Sequence, residues 1–474
     1  MINLKNIIQA LTGREIDVTT GMLVTEAVID SRKAIPGALF VALPGEKSDG
    51  HDFIQSSFNQ GAHLALIQKD LPADFRVLDL RKEAISAELQ IPQAPFCIRV
   101  EDSLVALQQA ARFWRKKLSL RVVGVTGSVG KTSTKELIAE VLAYKFHTYK
   151  TPGNYNNEIG LPLTILNLGS GYEHLVAEMG FYNLGDIKFL CEIAQPEIGV
   201  VNNIGTVHAE RAGSQETIAK GKAELVQALP PAPQGVAILN YDDPFVRRMA
   251  DQTRAQVLFY GLDSRADIWA DEIAGQGLRG IQFRLHYQGQ SVHMEVPILG
   301  RHSVQTVLRA AAVAFAEGMN WQEVTEGLSN SNTQLRLVAV QTHSGALILD
   351  DTYNATPEST LAALDLLSEL KGQKIAVLGD MLELGQYEQL GHEQVGRRAA
   401  QFVQHLIAVG PLGRTIADTA KQDGMPATAV TWVEDALQAA DVLKYNLRSG
   451  DVVLIKGSHG LRMDRIATIL EGSK

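Results

Sequence analysis

Residues Gly124–Ile138 read "GVTGSVGKTSTKELI". The stretch ends an apolar run, bends through Gly124, Gly127 and Gly130, and continues in a helix-like pattern. A strand over Arg121–Val125 feeding a glycine-rich turn, with a helix starting near Lys131, is the expected local structure. Backbone N–H groups of such a turn, together with the helix N-terminus, point at a phosphate oxygen. Lys131 then reaches the β/γ-phosphates and the Thr132 hydroxyl touches Mg²⁺. Gly127, Ser128, Val129, Gly130, Lys131, Thr132 and Ser133 are therefore the candidate ATP loop. The spacing G-x-x-x-x-G-K-[ST] asks for glycine at position 125, where Val125 stands between Gly124 and Gly127. This is a variant loop. A chance Gly-Lys-Thr in a glycine-rich turn is the competing reading, and the flanking strand and helix count against it.

Working outward, short apolar runs ending in Gly or Asn recur: "HLVAEMG", "IGVVNNIG", "GVAILN" and "QVLFYG". With helical stretches between them, they predict a mostly parallel sheet covered on both faces. "IQFRLHY" and "HMEVPI" alternate and predict a small antiparallel extension. From near Thr333 the strand–helix rhythm repeats in "ALILDD", "STLAALDLLSEL", "KIAVLGD", "HLIAVG" and "DVVLIKGSHG". Before Lys117, strand-like runs such as "GALFVAL" alternate with turns and end in the helix-like "SLVALQQAARFWRKKL". At 474 residues, a prior of about 150 residues per domain gives three. The expected architecture is α/β in three domains. These are a small N-terminal α/β domain (1–117), a central mostly parallel-sheet domain with the phosphate loop (118–332), and a Rossmann-like C-terminal domain (333–474).

A net charge of −9 argues against a protein that holds nucleic acid by charge alone. Two cysteines, Cys97 and Cys191, make no disulfide framework, and no Cys/His cluster suggests zinc. The N-terminal "MINLKNIIQALTGREIDV" lacks the apolar core of a signal peptide. No apolar run reaches the roughly 18 residues of a membrane span. The expectation is a soluble cytoplasmic protein, without nucleic-acid partners or membrane insertion.

Three further residues invite chemistry. Glu178 closes "HLVAEMG" at the carboxyl end of a parallel strand, the edge where sites of open α/β sheets lie; exposed strand-end glutamates are also common. His208 follows the run "IGVV", where a polar loop residue is the plainer reading. In "TIAKGKAELVQAL", Ile218, Lys222, Leu225 and Leu229 form one helical stripe. Lys222 thus stands where an apolar residue would, while Lys220 points elsewhere. A buried ammonium is costly unless paired, and a lysine snorkelling from the stripe edge is the bland alternative.

The variant loop resembles that of the Mur ligases, ATP-dependent amide-forming enzymes of peptidoglycan synthesis. "TPGNYNNEIGLPLTIL" (Thr151–Leu166), "DDTYNATPEST" (Asp350–Thr360), "VLGDMLELG" (Val377–Gly385) and "KGSHGLRMD" (Lys456–Asp464) extend the likeness. They are similar to the branch that joins D-alanyl-D-alanine to UDP-N-acetylmuramoyl-tripeptide through an acyl phosphate. "DSRKAIPGALFVALPGEKSDGHDFI" (Asp30–Ile54) resembles the family's uridine-nucleotide domain. The resemblance implies two Mg²⁺ ions, one beside Thr132 and a second held by Glu178, His208 and a lysine carbamylated by CO₂. Lys222 fits that lysine and Lys220 is the fallback. It further implies that Asn240 contacts adenine, Asp351 holds the ribose with Tyr353 following it, and Arg336 reaches the γ-phosphate. Lys131, His208, Lys222 and Arg336 would then form the catalytic set.

Asn154, Asn156 and Asn157 could make tight turns; the resemblance makes them a wall of the tripeptide site. Ser31 and Arg32 would contact the uridine diphosphate, and Lys456 and Ser458 would face the amide-forming cleft, with the C-terminal domain receiving the dipeptide. The family's His-Asn followed by Asn three residues later reads His302, Ser303 and Thr306 here. A monomer is expected. The alternatives are an amino-acid-adding relative within the family or a folylpolyglutamate synthase, which would not need the N-terminal "DSR…DGH" domain. A nucleotide-driven switch would need no second metal site.

Overall fold

The computed structural model describes residues 1–15, 21–81, 90–206, 209–331 and 337–472. Strand Arg121–Thr126 and helix Lys131–Ala143 flank the glycine turn as expected. The chain divides into two compact units, one comprising 1–124, 146–180 and 185–198, the other 125–145, 181–184 and 199–474.

In the first unit a five-stranded sheet takes the order 27–28, 39–41, 64–67, 96–99, 77–79, parallel throughout. Its strands bury Phe40, Ala65, Ile67 and Cys97 against Ile54 and Ala34. Asp102 caps the helix Ser103–Arg115 by accepting from the Leu104 and Val105 amides, which satisfies two otherwise orphaned donors. That helix anchors the unit by its polar tips. Trp114 Nε1 donates to the Leu168 carbonyl at 3.0 Å and the buried Arg115 donates to the Ala194 carbonyl at 2.7 Å. Strand His174–Glu178 pairs in parallel with Thr148–Lys150 and ends on Glu178.

In the second unit strands Val236–Asn240, Gln256–Gly261 and Ile268–Gly275 pair in parallel, and Ile281–Tyr287 and Gln290–Val296 continue antiparallel. The register shifts between Asp271 and Ala274. A six-stranded sheet follows in the order 338–341, 347–350, 452–456, 374–379, 405–409, 430–433, with only the first pair antiparallel. Successive residues face opposite sides of a strand, and the two cores of this sheet show it. Leu349, Ala376, Leu378 and Leu454 fill one face, while Ile348, Ile375, Val377 and Ile455 fill the other. Burial on both faces is why these strands read as unbroken apolar runs. Among the described residues no helix is long and apolar enough to cross a membrane.

Candidate nucleotide and ligase site

The phosphate loop is shaped by two glycines. Gly127 adopts φ 151° and a Cβ there would lie 2.6 Å from Asn202 Cβ, closer than side-chain atoms approach. Gly130 caps the helix at φ 79°, in the left-handed region that favours glycine. Asn202 and Asn203, just past strand Ile198–Val201, hold the turn from behind. Asn203 Oδ1 accepts from the Val129 amide at 2.9 Å and Asn202 Nδ2 donates to the Val129 carbonyl at 3.1 Å. Ser128 Oγ accepts from the Gly205 amide at 2.9 Å. Lys131 Nζ folds back onto the loop, donating to the Gly127 carbonyl at 2.8 Å. A glycine-cleared turn, a helix N-terminus and one ammonium together fit a bound polyphosphate.

Helix Gln215–Gln227 bears out the stripe. Ile218, Lys222 and Leu225 are buried, as is Leu229 just beyond the helix, while Lys220 is exposed. Lys222 is 1% exposed and its Nζ lies 5.1 Å from the Phe181 ring centroid. Desolvation, with a smaller contribution from Lys131, holds its amine well below the usual lysine range. Gly221 lets the helix meet Phe181, since a Cβ there would fall 2.0 Å from the ring.

Asn240 is buried, and both ends of its amide are engaged by the protein. Nδ2 donates to the Asn202 carbonyl at 2.9 Å and Oδ1 accepts from the Asp242 amide at 3.0 Å. In the C-terminal sheet, adjacent strand ends bring Asp351 and Lys456 together. The buried Lys456 Nζ donates to Asp351 Oδ2 at 2.6 Å and to the Asn354 carbonyl at 2.8 Å. Ser458 Oγ accepts from the Leu382 amide at 2.9 Å, so it ties down the "GDMLELG" turn. Tyr353 is exposed, with its ring centroid 6.1 Å from that of His459. Nearby Asp380 accepts from the Gly413 amide at 2.7 Å, and burial pushes its carboxyl up.

Within the first unit, Asn156 Nδ2 donates to Glu178 Oε1 at 2.9 Å, and Glu178 is buried. Asn157 Oδ1 accepts from the Gly160 amide at 2.9 Å and so starts the helix Gly160–Leu166, while Asn154 is exposed. Ser31 is buried at the head of a short 3₁₀ turn. Arg32 is exposed and forks onto Asp30 at 2.9 and 2.8 Å, which lowers the Asp30 carboxyl to about 2. His208 and Arg336 lie outside the described residues. Among the described residues, no group of three or more His, Cys, Asp and Glu is arranged to hold a metal ion.

Three family models match the chain: the Mur ligase family catalytic domain over 24–115, the Mur ligase middle domain over 125–314, and the Mur ligase glutamate ligase domain over 335–459. The chain belongs to the Mur ligase family. Among Mur ligases it is 35% identical to the UDP-N-acetylmuramoyl-tripeptide–D-alanyl-D-alanine ligase of Bacillus subtilis, covering 92% of this chain and 91% of the relative. The Escherichia coli ligase of the same name is 33% identical, with 96% and 94% covered. A crystal structure of MurF from Acinetobacter baumannii superposes with a TM-score of 0.82 at 28% identity, covering 99% of each chain. MurF ligase from Thermotoga maritima in complex with ADP gives 0.79 at 28% identity, with 96% and 98% covered. A Mycobacterium tuberculosis folylpolyglutamate synthase at 16% identity and TM-score 0.61 shares the fold alone.

Residues that sequence reasoning passed over also line the loop. In the sequence Asn202 and Asn203 read as the tail of a strand, and Arg309 falls inside an alanine-rich helical run. The signal for Arg309 was available: a lone guanidinium in the otherwise apolar run "VLRAAAVAFA".

Proposed function

We propose that the chain joins D-alanyl-D-alanine to the terminal carboxylate of a UDP-N-acetylmuramoyl-tripeptide, converting ATP to ADP and phosphate, in the synthesis of peptidoglycan precursors. One observation carries this reading: relatives bearing that name align over more than nine-tenths of both chains. The phosphate loop and the buried Lys222 support it.

An amide does not form readily from a carboxylate anion, because oxide is a poor leaving group. Attack of the carboxylate oxygen on the γ-phosphorus expels ADP and leaves an acyl phosphate. The neutral amine of the dipeptide then attacks the carbonyl carbon. The tetrahedral intermediate loses phosphate, and the amine's proton passes to solvent. Backbone amides of Gly127–Lys131 would bind the phosphates, Lys131 would turn from the loop carbonyls onto the β/γ-oxygens, and Arg336 would offset charge on the transferring group. Asn240 would face adenine and Asp351 the ribose, with Tyr353 beside it. Ser31 and Arg32 would hold the uridine diphosphate, Asn154, Asn156 and Asn157 the tripeptide, and Lys456 and Ser458 the acceptor side.

Mg²⁺, when bound, would neutralise phosphate charge; Thr132 would hold the first ion, and Glu178, His208 and a carbamylated Lys222 would hold the second, as the family likeness implies. A carbamate forms when a neutral amine adds to CO₂ and releases a proton. Burial holds the Lys222 amine well below the usual lysine range, which favours that requirement. We further propose domain limits of 1–117, 118–332 and 333–474, a cytoplasmic monomer, and dipeptide binding by the last domain.

ADP release measured against a panel of UDP-muramoyl peptides and D-amino-acid dipeptides tests the assignment. Turnover is expected only when a tripeptide nucleotide and D-alanyl-D-alanine are both present. Equal turnover with a single amino acid as acceptor would overturn it.

A further inference from the structure

Helix Val304–Ala316 packs on the helix that follows the phosphate loop and is buried along most of its length. In its middle sits Arg309, only 4% exposed. Its Nε donates to the Tyr260 hydroxyl at 2.8 Å, and its Nη1 donates to Thr134 Oγ1 at 2.8 Å and Thr306 Oγ1 at 3.3 Å. All three partners are neutral hydroxyls, and among the described residues no carboxylate pairs with it. Thr134 lies in the first turn of the phosphate-loop helix, and Thr306 lies in the first turn of Arg309's own helix. A Cβ added to Gly130 would lie 3.6 Å from Arg309 Nη1 and 3.5 Å from Asn202 Nδ2. Asn202 Oδ1, in the same cluster, is buried with no hydrogen-bond partner. The Arg309 guanidinium therefore stands against the Gly130 end of the phosphate loop.

A guanidinium taken out of water without a counter-ion is unfavourable. An anion on the opposite side of a thin loop is a counter-ion it can reach, because charge acts strongly through a weakly polarisable interior. We propose that Arg309 is a positioning residue whose counter-charge is the nucleotide's phosphate group, held across the loop backbone. The hydroxyls of Tyr260, Thr134 and Thr306 fix the guanidinium so that the charge stands at Gly130. The inference rests on the nucleotide reading of the loop. It assigns to Arg309 the part of phosphate affinity that Lys131 and the backbone amides do not supply. Buried charge is poorly screened by salt, so its contribution should persist at high ionic strength.

The test is calorimetric binding of Mg·ADP to the parent protein and to Arg309→Gln, Arg309→Met and Arg309→Lys, with thermal unfolding of each nucleotide-free protein. The two neutral variants should bind about tenfold more weakly at both low and high salt. Arg309→Lys, which keeps the charge, should retain most of the affinity. Unfolding temperatures of the neutral, nucleotide-free variants should stay at or above that of the parent, since an uncompensated charge has been removed. Parent-like affinity in Arg309→Gln would overturn the proposal. So would equal affinity losses in Gln and Lys variants accompanied by equal losses of thermal stability, the mark of a packing role. Failure of the parent itself to bind Mg·ADP would instead overturn the nucleotide reading on which the proposal stands.

Discussion

Lys220 and Lys222 lie two residues apart on one helix and have opposite surroundings, one in water and the other sealed against Phe181. The difference follows from helical periodicity, and it separates an exposed lysine from one whose amine burial pushes well below the usual lysine range. In CO₂-free buffer the folded Lys222 amine gives up a proton that the unfolded side chain retains. Stability should therefore rise with pH from the lowered folded value up to the ordinary lysine value of 10.5. Added bicarbonate should raise the unfolding temperature at fixed pH, and Lys222→Met should remove both responses in a thermal-shift titration. Lys222→Ala should be nearly inactive and partly rescued by a short carboxylate, while Lys220→Ala should match the parent. Lys131→Ala should cut ADP formation by about 100-fold or more with no loss of thermal stability, because the ammonium bonds to carbonyls of its own loop.

Among elements, the parallel strands were legible because burial on both faces leaves runs of branched aliphatics with little else. "KIAVLGD" and "HLIAVG" are strands within a residue of their apolar limits. Strand Ile268–Gly275 was not singled out: "IWADEIAG" carries two acids, and a register shift between Asp271 and Ala274 breaks its alternation. The hydroxyl-lined seat of Arg309 was equally hidden, since Tyr260 and Thr134 come to it from 49 and 175 residues away. Glycines at close approaches give the sharpest test at this scale. Gly221→Ala places a methyl 2.0 Å from the Phe181 ring, so helix Gln215–Gln227 must shift. The variant should lose about 1–3 kcal/mol in denaturant unfolding, and its ADP formation should fall with the displacement of Lys222.

For the whole molecule, the sequence motifs lie far apart and each is readable alone, but their pairings are not. Asp351 and Lys456 are 105 residues apart and meet only because strands 347–350 and 452–456 are parallel neighbours. No spacing rule in the sequence foretells that ion pair. The N-terminal domain was legible as α/β from its short apolar runs, whereas its ligand rested on a motif likeness. Arg336 follows the proposed boundary at Asn332, and its assigned part is confined to the phosphoryl step. Arg336→Ala should lower kcat by about 1,000-fold or more while calorimetry finds the affinity for UDP-N-acetylmuramoyl-tripeptide unchanged.

The central claim is that the substrate's own carboxylate is activated by phosphoryl transfer before the amide forms. It is tested most directly with UDP-N-acetylmuramoyl-tripeptide labelled with ¹⁸O in its terminal carboxylate, incubated with ATP and D-alanyl-D-alanine. Mass analysis of the released phosphate should find one ¹⁸O per molecule, with one amide formed per ADP. Phosphate free of label, or ADP released without the dipeptide product, would contradict the account.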